Sequence, residues 1–138
     1  MSREDILGMK TVTPFNQIEP ELLSMQKFLE MEYDTSNDEM VLTRAQKLEH
    51  IVARSGKLCA DARYHRDVMT STAIMDTLKE SLAQGGYSPS LINKKVDSLC
   101  MDFNYIEKWA ERVNRTSTHQ LEFSRTVISN NKAKRSLI

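Results

Sequence analysis

Gly85-Gly86 constrains this chain more than any other feature, because long stretches on either side of it contain almost no glycine or proline. Adjacent glycines supply the left-handed backbone that ends a helix, a conformation other residues adopt only at a cost. Ser88-Pro89 follows, a hydroxyl to cap a new helix and a proline at its first position. A stop signal followed at once by a start signal dictates two helices joined by a tight reversal.

Both arms carry helical periodicity. In the first, the apolar or small positions run Leu48, Val52, Ser55, Cys59, Ala62, His65, Met69 and Thr72, then, after one shift of phase, Met75, Leu78 and Leu82. In the second they run Ile92, Val96, Leu99, Phe103, Ile106, Ala110 and Val113, and return after a further shift at Leu121, Val127 and Ile128. The pattern predicts an all-α fold: a long antiparallel, coiled-coil-like helical hairpin with arms of about 45 residues, each about 65 to 70 Å long.

Upstream, residues 1–18 show no sustained period and read as an extended arm. Glu19-Pro20-Glu21-Leu22 opens a short helix that carries Leu22, Leu23, Met25, Phe28, Leu29 and Met31 and ends near Tyr33-Asp34. Ser36, with Glu39 three positions on, forms a capping box for the first long helix. The expected organisation is one domain, with an acidic arm and short helix over residues 1–35 and the hairpin over residues 36–138, turning at 84–88. Two helices bury only one seam, so Tyr64, Ile74, Met101, Tyr105 and Trp109 need another surface, from the short helix or from another molecule.

Composition narrows the functional classes. Of 138 residues 40% are hydrophobic and 28% charged, which describes a chain that folds around a core. Nothing near the N-terminus reads as a secretory signal and no apolar run is long enough to span a bilayer, so the expectation is an intracellular, cytoplasmic protein without a membrane partner. The formal charge is zero, but it is unevenly spread: residues 1–40 hold 3 basic and 9 acidic groups, residues 41–83 hold 7 and 5, and residues 84–138 hold 9 and 5. The acidic arm is therefore suited to docking on a basic surface of its own or of a neighbouring subunit.

A hairpin's register follows from its turn, so facing residues here should have numbers summing to about 173. This sets Ser55-Gly56 opposite Asn114-Arg-Thr-Ser-Thr-His-Gln120, a run without one large apolar side chain. Such a gap reads either as a close helix contact with hydroxyls bonded to the preceding turn, or as an anion- or partner-binding notch ringed by Arg54, Lys57, Arg112, Arg115 and His119. Phe28, Tyr105 and Trp109 are candidate partner anchors. Asp61 and His65 share a face at i, i+4 but supply only two ligands, too few for a metal site, and the commoner outcome for His65 is a hydrogen-bonded core histidine. Cys59 and Cys100 are not register partners and read as reduced, buried thiols. The sequence holds no nucleophile with a paired base, no phosphate-binding glycine loop and no ligand cluster, so neither catalytic residues, nor a metal, nor a cofactor is expected.

The stretch from Asn104 through Tyr105, Trp109 and Asn114 to Leu121 resembles part of the small, uncharacterised helical proteins of bacteriophages and prophages. The resemblance implies a context: a product of an infected bacterium, in the host cytoplasm or incorporated into the particle. Together these features point to a non-enzymatic assembly or adaptor protein, a homo-oligomer or a component of a larger assembly. A nucleic-acid-binding factor using the basic hairpin residues with Lys132, Lys134 and Arg135, and a small-ligand sponge or inhibitor of a host enzyme, are the alternatives.

Overall fold

A computed structural model describes residues 11–137, and the fold is all-α. Helix α1 spans Phe15–Glu30, α2 Asp38–Ala83, α3 Pro89–Leu99 and α4 Met101–Ser136. Of the extended arm expected over residues 1–18, residues 1–10 lie outside the described residues, 11–14 are non-helical and 15–18 belong to α1.

The hairpin forms where the glycines place it. Gly85 and Gly86 take φ of +86° and +101°, and the Gly86 N–H donates to the Ser81 carbonyl at 2.7 Å, closing the last turn of α2. The Ser88 hydroxyl then accepts the Leu91 N–H at 3.2 Å to cap α3 behind Pro89. At 46 residues, α2 is a rod of about 70 Å.

Local starts and stops differ from expectation, each for a packing reason. Helix α1 begins at Phe15, five residues before Pro20, and ends at Glu30, short of Tyr33. Ile18 is fully buried and Phe15 stacks on Phe103 with ring centroids 4.2 Å apart, so tertiary burial extends the helix backwards past a proline that faces solvent. The cap of α2 is Asn37, whose side chain accepts the Met40 N–H at 3.2 Å. Ser36 is unavailable, because its N–H and hydroxyl both donate to the Asp34 carboxylate, at 2.9 and 2.6 Å.

The second arm is two helices, α3 and α4, which meet at Cys100 with φ −96° and ψ 1°. An unbroken period through Ile92, Val96, Leu99 and Phe103 would turn Leu99 inward. In fact Cys100 is 2% exposed and Leu99 49%, and loosening one turn absorbs this one-residue shift of the seam.

The largest departure is the position of the core. Ile18, Leu22 and Leu29 of α1 pack with Leu48, Ile51, Leu58 and Ala62 of α2 and with Ile106, Ala110 and Val113 of α4, so the apolar centre is a three-helix layer towards the open half of the hairpin. The turn half has only small or polar buried groups along α2: Ala73, Thr77 and Ser81. Met75, Leu78 and Leu82, expected in the seam, are 56%, 42% and 84% exposed. The phase shift that would have drawn them inward does not take place, and the seam continues along the face of Ser55, Ala62 and Ala73.

The two glycine environments predict opposite effects in urea unfolding. Gly56 lies on the exposed side of a helix interior, where an added Cβ would meet only Asn114 Nδ2 at an ordinary 3.6 Å, so Gly56→Ala should stabilise the protein by about 1 kcal/mol. Gly86→Ala, at a positive φ, should destabilise it by about 1 kcal/mol.

Candidate functional site

The polar run of α4 faces Ser55 as the register requires, within about one helical turn. Asn114 Nδ2 donates to the Val52 carbonyl at 2.9 Å and to Ser55 Oγ at 3.1 Å. Ser117 and Thr118 hydroxyls each donate back to the Asn114 carbonyl at 2.9 Å. Ser55 and Ser117 are fully buried, so this is the close contact of small side chains with hydroxyls bonded to the preceding turn.

The five proposed anion-binding residues do not converge. Arg54 turns towards α1, where it forms a two-pronged pair with Glu21 at 2.9 and 2.8 Å. Lys57 pairs with Asp61 at 2.6 Å and donates to the Thr11 carbonyl. Arg112 is exposed to solvent. Only Arg115 and His119 share a depression, of about 430 Å³, with Cys59, Arg63, Glu111, Asn114 and Thr118. Arg63 is held there by Glu111 and Glu107, at 3.1 and 3.4 Å. Register fixes the height at which residues meet but not the flank of the seam on which they lie, and Arg54 and Lys57 lie on the opposite flank.

Among the partner anchors, Trp109 and Phe28 pack against the core, and Trp109 Nε1 donates to Gln26 of α1 at 3.2 Å. Tyr105 stays exposed. Asp61 and His65 both hold the segment before α1. The Thr13 N–H donates to Asp61 Oδ2 at 3.0 Å, and His65 Nε2 lies 2.7 Å from the Thr13 carbonyl, which as an acceptor requires the proton on Nε2. Cys59 and Cys100 are free thiols, and burial, with Glu111 and Glu107 nearby, pushes the Cys59 pKa up to about 11. That value leaves little thiolate at neutral pH. Among the described residues there is no group of three His, Cys, Asp or Glu placed to hold a metal, and no helix long and apolar enough to cross a membrane.

Two surfaces emerge that sequence reasoning missed. One is the outer face of α2 in the turn half, where Tyr64, Val68, Met75, Leu78 and Leu82 form an exposed stripe. On an ideal helix these five lie within about 40° of one line, roughly opposite Ala73 and Thr77 in the seam. The signal was present in the spacing, but the same residues could be assigned to the hairpin seam. The other is a depression of about 420 Å³ where the end of α1 meets the start of α2, lined by Phe28, Tyr33, Met40 and Arg44 among others. No sequence period marks it, since its walls come from two helices and their connector.

No protein-family model, curated protein or solved structure matches the chain.

The Asp61 clasp carries a pH dependence. Burial disfavours the carboxylate's charge, but Lys57 and the Thr13 N–H and hydroxyl outweigh burial and hold the pKa below the ordinary carboxylate value. A depressed folded pKa gives stability that is present above the unfolded value of about 3.9 and is lost as pH falls through the folded value. Asp61→Asn should therefore cost about 2 kcal/mol at pH 7, and the gap to the parent in urea unfolding should narrow below about pH 4.

Proposed function

We propose that the protein is a non-enzymatic assembly or adaptor factor that works as a homo-oligomer, paired through the outer stripe of α2. The observation that carries this reading is the order of side chains along the stripe. Measured from Ala73, Tyr64 is as far back as Leu82 is forward, and the same holds for Val68 with Leu78 and Ser71 with Met75. A second α2 laid antiparallel across a two-fold axis at that level sets Tyr64 against Leu82 and Ser71 against Met75 near the midline, with Val68 and Leu78 meeting diagonally across it, so the contact is apolar along its length.

Area supports the same occupant. At their observed exposures the five apolar side chains leave on the order of 600 Å² open per chain, and with the flanking Asp67, Lys79 and Ser71 the face approaches the roughly 800 Å² per partner of a standard interface. The pair would be a four-helix arrangement with the two turn halves at its centre. The open halves, closed by α1 and by the Arg135–Asp38 ion pair at 2.7 Å, would project outwards. On this reading the context implied by the resemblance at residues 104–121 is the cytoplasm of an infected bacterium or the particle assembled there. Of the basic residues that the nucleic-acid alternative would use, Arg54, Lys57 and Arg135 are paired with carboxylates.

Light scattering behind size-exclusion chromatography should give twice the chain mass for the parent. Leu78→Asp should raise the dimer dissociation constant by about 100-fold or more. A parent that stays monomeric at high concentration, or a Leu78→Asp dimer of undiminished affinity, would rule the reading out.

A further inference from the structure

We infer that the depression between the end of α1 and the start of α2 is a binding site for an amphipathic monocarboxylate, with Arg44 as its anion-binding group. Arg44 is only 7% exposed, and no carboxylate among the described residues pairs with it. Its guanidinium carbon lies 4.2 Å from the Tyr33 ring centroid and 5.0 Å from that of Phe28, so its faces are covered by aromatic rings. One edge is satisfied: Nη2 donates to Gln120 Oε1 at 2.6 Å, and Gln120 is fixed by its own donation to the Leu29 carbonyl at 3.1 Å. The other terminal nitrogen, Nη1, is buried and has no partner among the described residues.

A buried cationic donor without an acceptor is a costly feature, and a ligand oxygen would relieve it. The surroundings specify the rest of that ligand. Phe28, Met31, Tyr33 and Met40 supply apolar wall, and the volume of about 420 Å³ suits a small molecule with a hydrocarbon body. Lys47, with Nζ 4.5 Å from the Phe28 centroid, adds a second positive charge above the same ring. Glu32 and Glu39 also line the depression, but both are exposed, so they border its mouth and disfavour a multiply charged ligand. With one open donor edge in an apolar surround, a single carboxylate fits better than a phosphate, which needs several donors. Tyr33 lies on the non-helical connector, and contact of a carboxylate with the buried Nη1 requires its ring to move aside.

The site is independent of the α2 stripe and is tested separately. Isothermal titration of the full chain with octanoate, octanol and octylammonium, below their aggregation limits, should show one saturable octanoate site, at least about 10-fold tighter than either other probe. Thr43→Trp, at an exposed position lining the depression, fills it while leaving Arg44 in place, and should weaken octanoate by about 10-fold or more. Arg44→Met should do the same while sparing octanol. Equal affinity for octanol and octanoate, no saturable octanoate binding, or octanoate binding untouched by Thr43→Trp in a chain of unchanged helicity would each overturn the assignment.

Discussion

The molecule depends on how closely α2 and the second arm approach. Their seam is filled by Ser55, Ala62, Ala73, Thr77 and Ser81 on one side and by Ala110, Ser117 and Ser124 on the other, all buried. Small side chains let two helices come close at those levels, and the large residues of the core, such as Leu48, Leu58 and Val113, pack beside them under α1. The large apolar groups that accompany such a seam must be covered from outside it. Burial of apolar area is the main favourable term in folding, so whatever covers them shapes the rest of the structure.

The two halves of the hairpin meet that requirement differently. Towards the open half, α1 lies across both arms and its Ile18, Leu22 and Leu29 complete the only sizeable apolar cluster among the described residues. Polar clasps hold it there: Arg54 to Glu21, Asp61 and His65 to Thr13, Trp109 to Gln26 and Gln120 to the Leu29 carbonyl. Among the described residues the turn half has no third helix. Its apolar stripe faces outwards, and α3 buries no residue fully. A two-helix ribbon of that kind buries little apolar area by itself, and the pairing proposed above would supply a further layer.

Polar residues within helices serve here as connectors. Asn114, Ser117 and Gln120 belong to a run that breaks the apolar period, yet each bonds backbone or a facing side chain. Gln120 links two of the features described above, since it clasps the last turn of α1 and orients the guanidinium of Arg44. The depression around Arg44 is therefore tied to the correct seating of α1.

The sequence by itself determined the helical class, the turn at Gly85-Gly86, the cap at Ser88-Pro89 and the alignment of Ser55 with the polar run. These are local backbone preferences, or follow from counting outwards from a turn, and so are legible in one dimension. Which apolar residues enter the seam was decided only in three dimensions. Met75, Leu78 and Leu82 fit a seam by spacing, but Ala73, Thr77 and Ser81 occupy it, because periodicity finds a face without saying which neighbour that face meets. The same holds for the start of α1 at Phe15, set by stacking on Phe103, and for the scattering of Arg54, Lys57, Arg112, Arg115 and His119 over separate flanks. Arg44 had no signal in the sequence at all: its burial, its aromatic neighbours and its open edge exist only where α1, α2 and α4 meet.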